Sequence, residues 1–162
     1  MADQVERIHL LLRSSGATVA TAESLTGGRL AVALTDVPGA SETYLGGVVS
    51  YATALKESML GVDPGLIEQY GVISAECARA MASGVRAVTG ATYGLATTGV
   101  AGPATQDGKP PGTVFVGIAG PGLVEAVGLE LSGRRHQIQE RACREAFGAF
   151  EAVLRREEPP LG

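Results

Sequence analysis

The sequence predicts a three-layer α/β/α domain whose mixed, mostly parallel sheet has about five strands. Apolar positions alternate between helical spacing and short strand-like runs, in the order α-β-α-β-α-α-α-β-β-β-α. That alternation places helices on both faces of a largely parallel sheet. Two runs, 113–119 and 123–131, flank Gly120-Pro121-Gly122 as a hairpin, so one strand is expected to be antiparallel.

Each element has its own signal. Val5, Ile8, Leu11 and Leu12 mark a helix over 3–15, stopped by Ser14, Ser15 and Gly16. Thr18–Ala22 reads as a strand. Gly27-Gly28 opens a second helix with Leu30, Ala33 and Leu34 on one face, ended by the stretch containing Pro38. Residues 45–51 read as a buried strand and 53–60 as a helix capped by Thr53 and closed by Gly61. Asp63-Pro64 starts a short helix, because proline suits the first helical position. Ser74 caps a long helix over 74–89 with Ala78, Met81, Ala82 and Val85 on its inner face. A strand at 92–97 leads into a Gly/Pro-rich loop at 99–112, and the last helix spans 134–155.

The 162 residues suit one domain, expected over 1–157, with 158–162 as a disordered tail around Pro159-Pro160. The formal net charge is −4 and no Lys/Arg stripe is present, which argues against nucleic acid as a partner. The N-terminus carries Asp3 and Glu6 and has no apolar run fit for a signal peptide or a membrane span, so the cytoplasm is expected. Cys77 and Cys143 fall in helical patterns as buried apolar residues, without a CxxC spacing. His9 and His136 stand far apart with no partnering motif, so no metal and no cofactor are expected.

Ligands of open α/β sheets bind at the carboxyl ends of strands, and the unusual residues fall there. The segment Glu23-Ser24-Leu25-Thr26-Gly27-Gly28 joins a strand to a helix; it reads equally as a helix cap or as an anion site. Tyr51 ends a strand and Lys56 lies in the following helix. A lysine there is either a solvated surface group or, if desolvated, a base able to activate a serine. Thr97 to Pro103 is rich in hydroxyls and glycines, and its long loop, stiffened by Pro103, Pro110 and Pro111, reads as functional. Ser41 adds a polar candidate between Pro38 and the strand at 45.

Several motifs then carry a resemblance. Thr21-Ala22-Glu23-Ser24-Leu25-Thr26-Gly27-Gly28, Tyr44-Leu45-Gly46-Gly47-Val48-Val49-Ser50-Tyr51 through Lys56, Leu60-Gly61-Val62, Gly71-Val72-Ile73-Ser74, Ala96 to Pro103 and Lys109-Pro110-Pro111-Gly112-Thr113-Val114 resemble the signatures of the CinA C-terminal domain family. The resemblance covers about residues 5–150. It implies a three-layer α/β/α fold and deamidation of nicotinamide mononucleotide to nicotinate mononucleotide and ammonia, without a metal. By position it places the serine nucleophile on Ser41, its lysine partner on Lys56 and a supporting tyrosine on Tyr51. It puts Ser24 and Thr98 on the lining of the site, and the adjoining Gly99 is expected to contact substrate as well. The substrate phosphate is then expected at Thr26-Gly27-Gly28 or at an arginine, with Arg135 the candidate.

In the last helix, relatives often carry Arg-x-x-Val-Arg, where this sequence has Arg135 and then Gln139. A phosphate role of the second arginine would have to pass to Arg135 or Arg141. Many relatives also join this domain to a nucleotide-pyrophosphatase-like one. A homodimer or higher homo-oligomer is expected. The alternative reading is a nucleotide-binding or regulatory module with the same fold and no catalysis.

Overall fold

The computed structural model describes residues 1–158; of the expected tail 158–162, residues 159–162 lie outside them. The elements are α1 (Ala2–Ser15), β1 (Val19–Glu23), α2 (Arg29–Thr35), a 3-10 turn (Ala40–Glu42), β2 (Tyr44–Val49), α3 (Thr53–Leu60), α4 (Pro64–Tyr70), α5 (Ala75–Thr89), β3 (Tyr93–Gly99), β4 (Thr113–Gly120), β5 (Leu123–Glu130) and α6 (Arg135–Glu157). The five strands form one sheet in the order β2-β1-β3-β4-β5. β1 pairs parallel with both β2 and β3, and β4 pairs antiparallel with β3 and with β5. Four strands thus run one way and β4 the other, as the hairpin turn predicts.

The sheet alternation sorts side chains into two cores. Val19, Leu95, Val116 and Ile118 face α1, α2 and α6, and pack with Ile8, Leu12, Leu34, Phe147 and Phe150. Ala20, Ala22 and Ala96 face the other way and pack with Leu60, Ile73, Cys77, Met81 and Val85 of α3 and α5 and their junctions. That second layer is tight because the strands offer small residues. A Cβ on Gly94 would stand 2.0 Å from the Ala82 carbonyl oxygen, and one on Gly117 would stand 2.1 Å from that of Ala78. The glycines let the α5 backbone lie directly on the sheet.

Local caps follow the sequence with one exception. The Ser74 hydroxyl accepts from the Cys77 amide at 3.1 Å, and Asp63 accepts from Gly65 with Pro64 at the first helical position. Ala52, not Thr53, precedes α3, and no side chain caps it; Thr53 is the first helical residue. His9 is fully buried, bonded to the Leu34 carbonyl and the Thr43 hydroxyl, and so pins α1 to the segment entering β2. A carbonyl only accepts, so Nε2 carries the proton and Nδ1 accepts from Thr43. Among the described residues no helix is long and apolar enough to cross a membrane.

β2 ends at Val49, two residues before the predicted limit, and the chain turns away at Ser50 and Tyr51. The carboxyl ends of β1, β2 and β3 therefore meet along one rim, where the N-terminus of α6 joins them.

Candidate active site

Lys56 decides the character of this rim. It is only 2% exposed, among the most buried large side chains of the chain. Its Nζ donates to the Ser50 carbonyl at 2.6 Å, to the Tyr51 carbonyl at 3.4 Å and to Ser24 Oγ at 3.0 Å. Burial pushes the Lys56 pKa down; the neighbouring Cys77 could oppose this only as a thiolate, and its own burial raises its thiol to about 11 and so keeps it uncharged near neutrality. A neutral amine has two protons and one lone pair. In that form the two carbonyls take the protons and the bond to Ser24 reverses, the hydroxyl donating into the lone pair.

Ser24 is the first residue past β1. Its amide donates to the Thr97 carbonyl at 3.1 Å, and its carbonyl accepts from Gly27 at 3.1 Å, which closes a tight turn with Gly27 at φ 57°. Glu23 holds the turn from behind. Its Oε1 accepts from the Thr26 hydroxyl at 2.7 Å, the Gly28 amide at 3.2 Å and the Leu30 amide at 2.9 Å, and Oε2 accepts from Ala31 at 3.2 Å. A carboxylate on the first amides of a helix satisfies both orphan donors and dipole.

This arrangement corrects three expected substrate contacts. The α2 N-terminus is already filled by Glu23, so it has no room for a phosphate. Thr26 is fully buried and also bonds to Thr97 Oγ1 at 2.8 Å, and neither Thr26, Gly27 nor Gly28 lines the cavity.

Ser41 is also corrected. It lies exposed in the 3-10 turn before β2, beside Pro38 and Leu45, whereas Lys56 follows β2. Six strand residues, about 20 Å at the usual rise, separate those ends. The hydroxyl that Lys56 reaches is that of Ser24. The strand-end rule was the available signal: Ser24 follows a parallel strand, and Ser41 precedes one.

A cavity of about 400 Å³ opens over the pair, lined by Ser24, Tyr51, Lys56, Thr98, Gly99 and Arg135 among others, with no Asp or Glu in its wall. Thr98 is buried and donates to the Val72 carbonyl at 2.7 Å, which leaves its oxygen as an acceptor. Arg135, at the start of α6, donates to the Gly102 carbonyl at 2.6 Å and to the Tyr51 hydroxyl at 2.9 Å, and so bridges the two lips. The Tyr51 phenol, 61% exposed, bonds to Arg135 rather than to Lys56 or Ser24. Lys109 donates to the Ile73 carbonyl and lies over the Phe115 ring, which anchors the long 99–112 loop against the α4–α5 junction. Two residues escaped the sequence reading. Glu23 appeared only as part of a motif, and Gln139 only as a departure from one; Gln139 Nε2 in fact donates to the Leu25 carbonyl at 2.9 Å. Among the described residues no cluster of three His, Cys, Asp or Glu side chains is placed to hold a metal.

The family model described as the CinA C-terminal domain matches residues 2–154. The chain is 51% identical over 153 residues to a CinA-like protein of Frankia casuarinae, covering 94% of this chain and 35% of that protein. It is 44% identical over 141 residues to a putative competence-damage inducible protein of Halalkalibacterium halodurans, covering 86% of this chain and 34% of that one. The chain thus spans about a third of the length of the curated relatives it matches. Among solved structures, it is similar to competence damage-inducible protein A from Klebsiella pneumoniae, at 30% identity and TM-score 0.93, over 97% of this chain and 98% of that one. It is likewise similar to competence/damage inducible protein CihA from Agrobacterium tumefaciens, at 31% identity and TM-score 0.90, over 94% of both.

Proposed function

The chain belongs to the CinA C-terminal domain family, and from that premise we propose that it is an amidohydrolase that releases ammonia from the carboxamide of nicotinamide mononucleotide. The observation that carries the reading is the 3.0 Å approach of a buried, proton-shedding Lys56 to the Ser24 hydroxyl.

Lys56 takes the Ser24 proton as Oγ attacks the carboxamide carbon. The tetrahedral intermediate places its oxyanion against backbone amides of the turn after Ser24 and of the glycine-rich 99–103 loop. The Leu25 amide, on a residue that lines the cavity, has no acceptor among the described residues and so is free for this. The Lys56 ammonium then protonates the leaving nitrogen, ammonia departs, and an acyl-serine remains. Water, deprotonated by the same amine, hydrolyses the ester and restores Ser24. The substrate's anionic group is assigned to Arg135, whose guanidinium stands at the mouth of a cavity without acidic residues.

Ammonia release from nicotinamide mononucleotide tests this. Ser24→Ala is expected to abolish turnover by at least about a thousandfold, and Ser41→Ala to leave it near the parent level. Full turnover by the Ser24 variant would overturn the assignment. Saturable nucleotide binding by the parent with no ammonia would favour the non-catalytic module instead.

A further inference from the structure

We propose that Gln139, on α6, is a positioning residue for the nucleophile: its side-chain amide, donated to the Leu25 carbonyl, fixes the turn that aims the Ser24 hydroxyl at Lys56. The proposal rests on Ser24 being the nucleophile.

The peptide planes of this turn are held one by one. The Ser24 carbonyl accepts from Gly27, and the Thr26 carbonyl accepts from the Arg29 amide and guanidinium. Those bonds are local and form with the turn itself. Among the described residues the Leu25 carbonyl between them has one partner, Gln139, which comes from 114 residues further along the chain. Gln139 is 8% exposed, and its neighbours Ile138 and Ala142 pack with Leu25 and Ala101 in one small apolar cluster. The amide is therefore delivered by a packed helix rather than a mobile side chain. Arg135 lies one turn earlier, four residues away, on the same helical face. One face of α6 thus holds the back of the nucleophile turn with Gln139 and the mouth of the cavity with Arg135.

Fixing the Leu25–Thr26 plane sets the dihedrals of Leu25 and, with the Gly27 bond, leaves Ser24 only its side-chain rotation. Without the Gln139 donor, a buried carbonyl has no partner, and the turn relaxes to find water. A displacement near 1 Å at a nucleophile costs on the order of a hundredfold in rate.

The test follows Ser24 with phenylmethylsulfonyl fluoride, so that it is independent of the carboxamide substrate. Oγ bonds to sulfur, the S–F bond breaks, fluoride leaves and the serine proton passes to Lys56. Mass spectrometry of the Ser24 peptide gives the rate against pH. Gln139→Met keeps the length and apolar packing but loses the donor, and Gln139→Arg keeps a donor. Rates are compared on the alkaline plateau, where Lys56 is neutral in every variant. Gln139→Met is expected to lower the plateau about tenfold or more with an unmoved pH midpoint, and Gln139→Arg to restore most of it. Should Gln139→Met fail to fold, Gln139→Asn, whose amide is one methylene short, is expected to show the same loss. A plateau equal to wild type in the donorless or shortened variant overturns the proposal, as does an arginine variant as slow as the methionine one. Labelling that depends on Gln139 in a protein that releases no ammonia would sink the substrate assignment and support this inference. A wild-type Ser24 that resists the reagent overturns both.

Discussion

Lys56 is placed where its charge costs stability. Its amine is held in a buried cage with no carboxylate partner among the described residues, and burial lowers its pKa below the ordinary 10.5. The folded state therefore binds the proton less tightly than the unfolded one. The penalty is full below the depressed folded value, shrinks as pH rises from there, and is gone above 10.5. Lys56→Met is expected to raise the melting temperature at neutral pH, with the gain fading as pH approaches 10.5, while ammonia release is lost. A methionine variant less stable than the parent across the whole range would contradict this account. Activity of the parent is expected to rise with pH through the folded lysine value, because only the neutral amine accepts the serine proton.

Among the elements, α5 is the one whose placement the sheet dictates most strictly. Its backbone rests on Gly94 of β3 and Gly117 of β4, and no side chain fits between them. Gly94→Ala puts a methyl group 2.0 Å from the Ala82 oxygen, a backbone atom that cannot rotate away. The helix must lift off the sheet, which is expected to cost about 2 kcal/mol or more and to lower the melting temperature by roughly 6 °C. Thermal unfolding followed by circular dichroism measures it, and an unchanged midpoint would show that the layer is looser than these distances require. The lift would be felt at the site as well, since Cys77 on α5 borders Lys56 and the Val72 carbonyl holds Thr98.

Across the whole molecule, the site is assembled from chain segments far apart. The turn after β1 supplies Ser24, the β2–α3 link and α3 supply Tyr51 and Lys56, β3 supplies Thr98 and Gly99, and α6 closes the mouth with Arg135. Parallel strands bring three of these to one rim, and α6 packing under the sheet brings the fourth. If the proposed amidohydrolase holds the substrate phosphate at Arg135, the parent is expected to favour nicotinamide mononucleotide over nicotinamide riboside. Arg135→Met is expected to raise KM for the mononucleotide by roughly 10–100-fold with a smaller change in kcat, and to erase the preference. A mutant that still prefers the mononucleotide as strongly would place the phosphate elsewhere.

Much of the fold is legible in the sequence because each element carries its own local signal. Ser74 and Asp63-Pro64 mark helix starts, Gly16, Gly61 and Gly90 sit in the left-handed conformation that ends helices, and Gly120-Pro121-Gly122 announces the hairpin. Motif order likewise suffices to indicate an α/β fold of this family. The site divides differently. Lys56 and Arg135 are named by the sequence, but their partners are not, because pairing depends on which strand ends share a rim. Spacing along the chain does not distinguish Ser24 from Ser41; strand direction does, since the sheet carries one to the lysine and the other to the far end of β2. Only the packed structure could decide that Glu23 fills the helix start expected to bind phosphate. Only it could show Gln139 reaching the turn after β1, since neither contact is local enough for composition or periodicity to record.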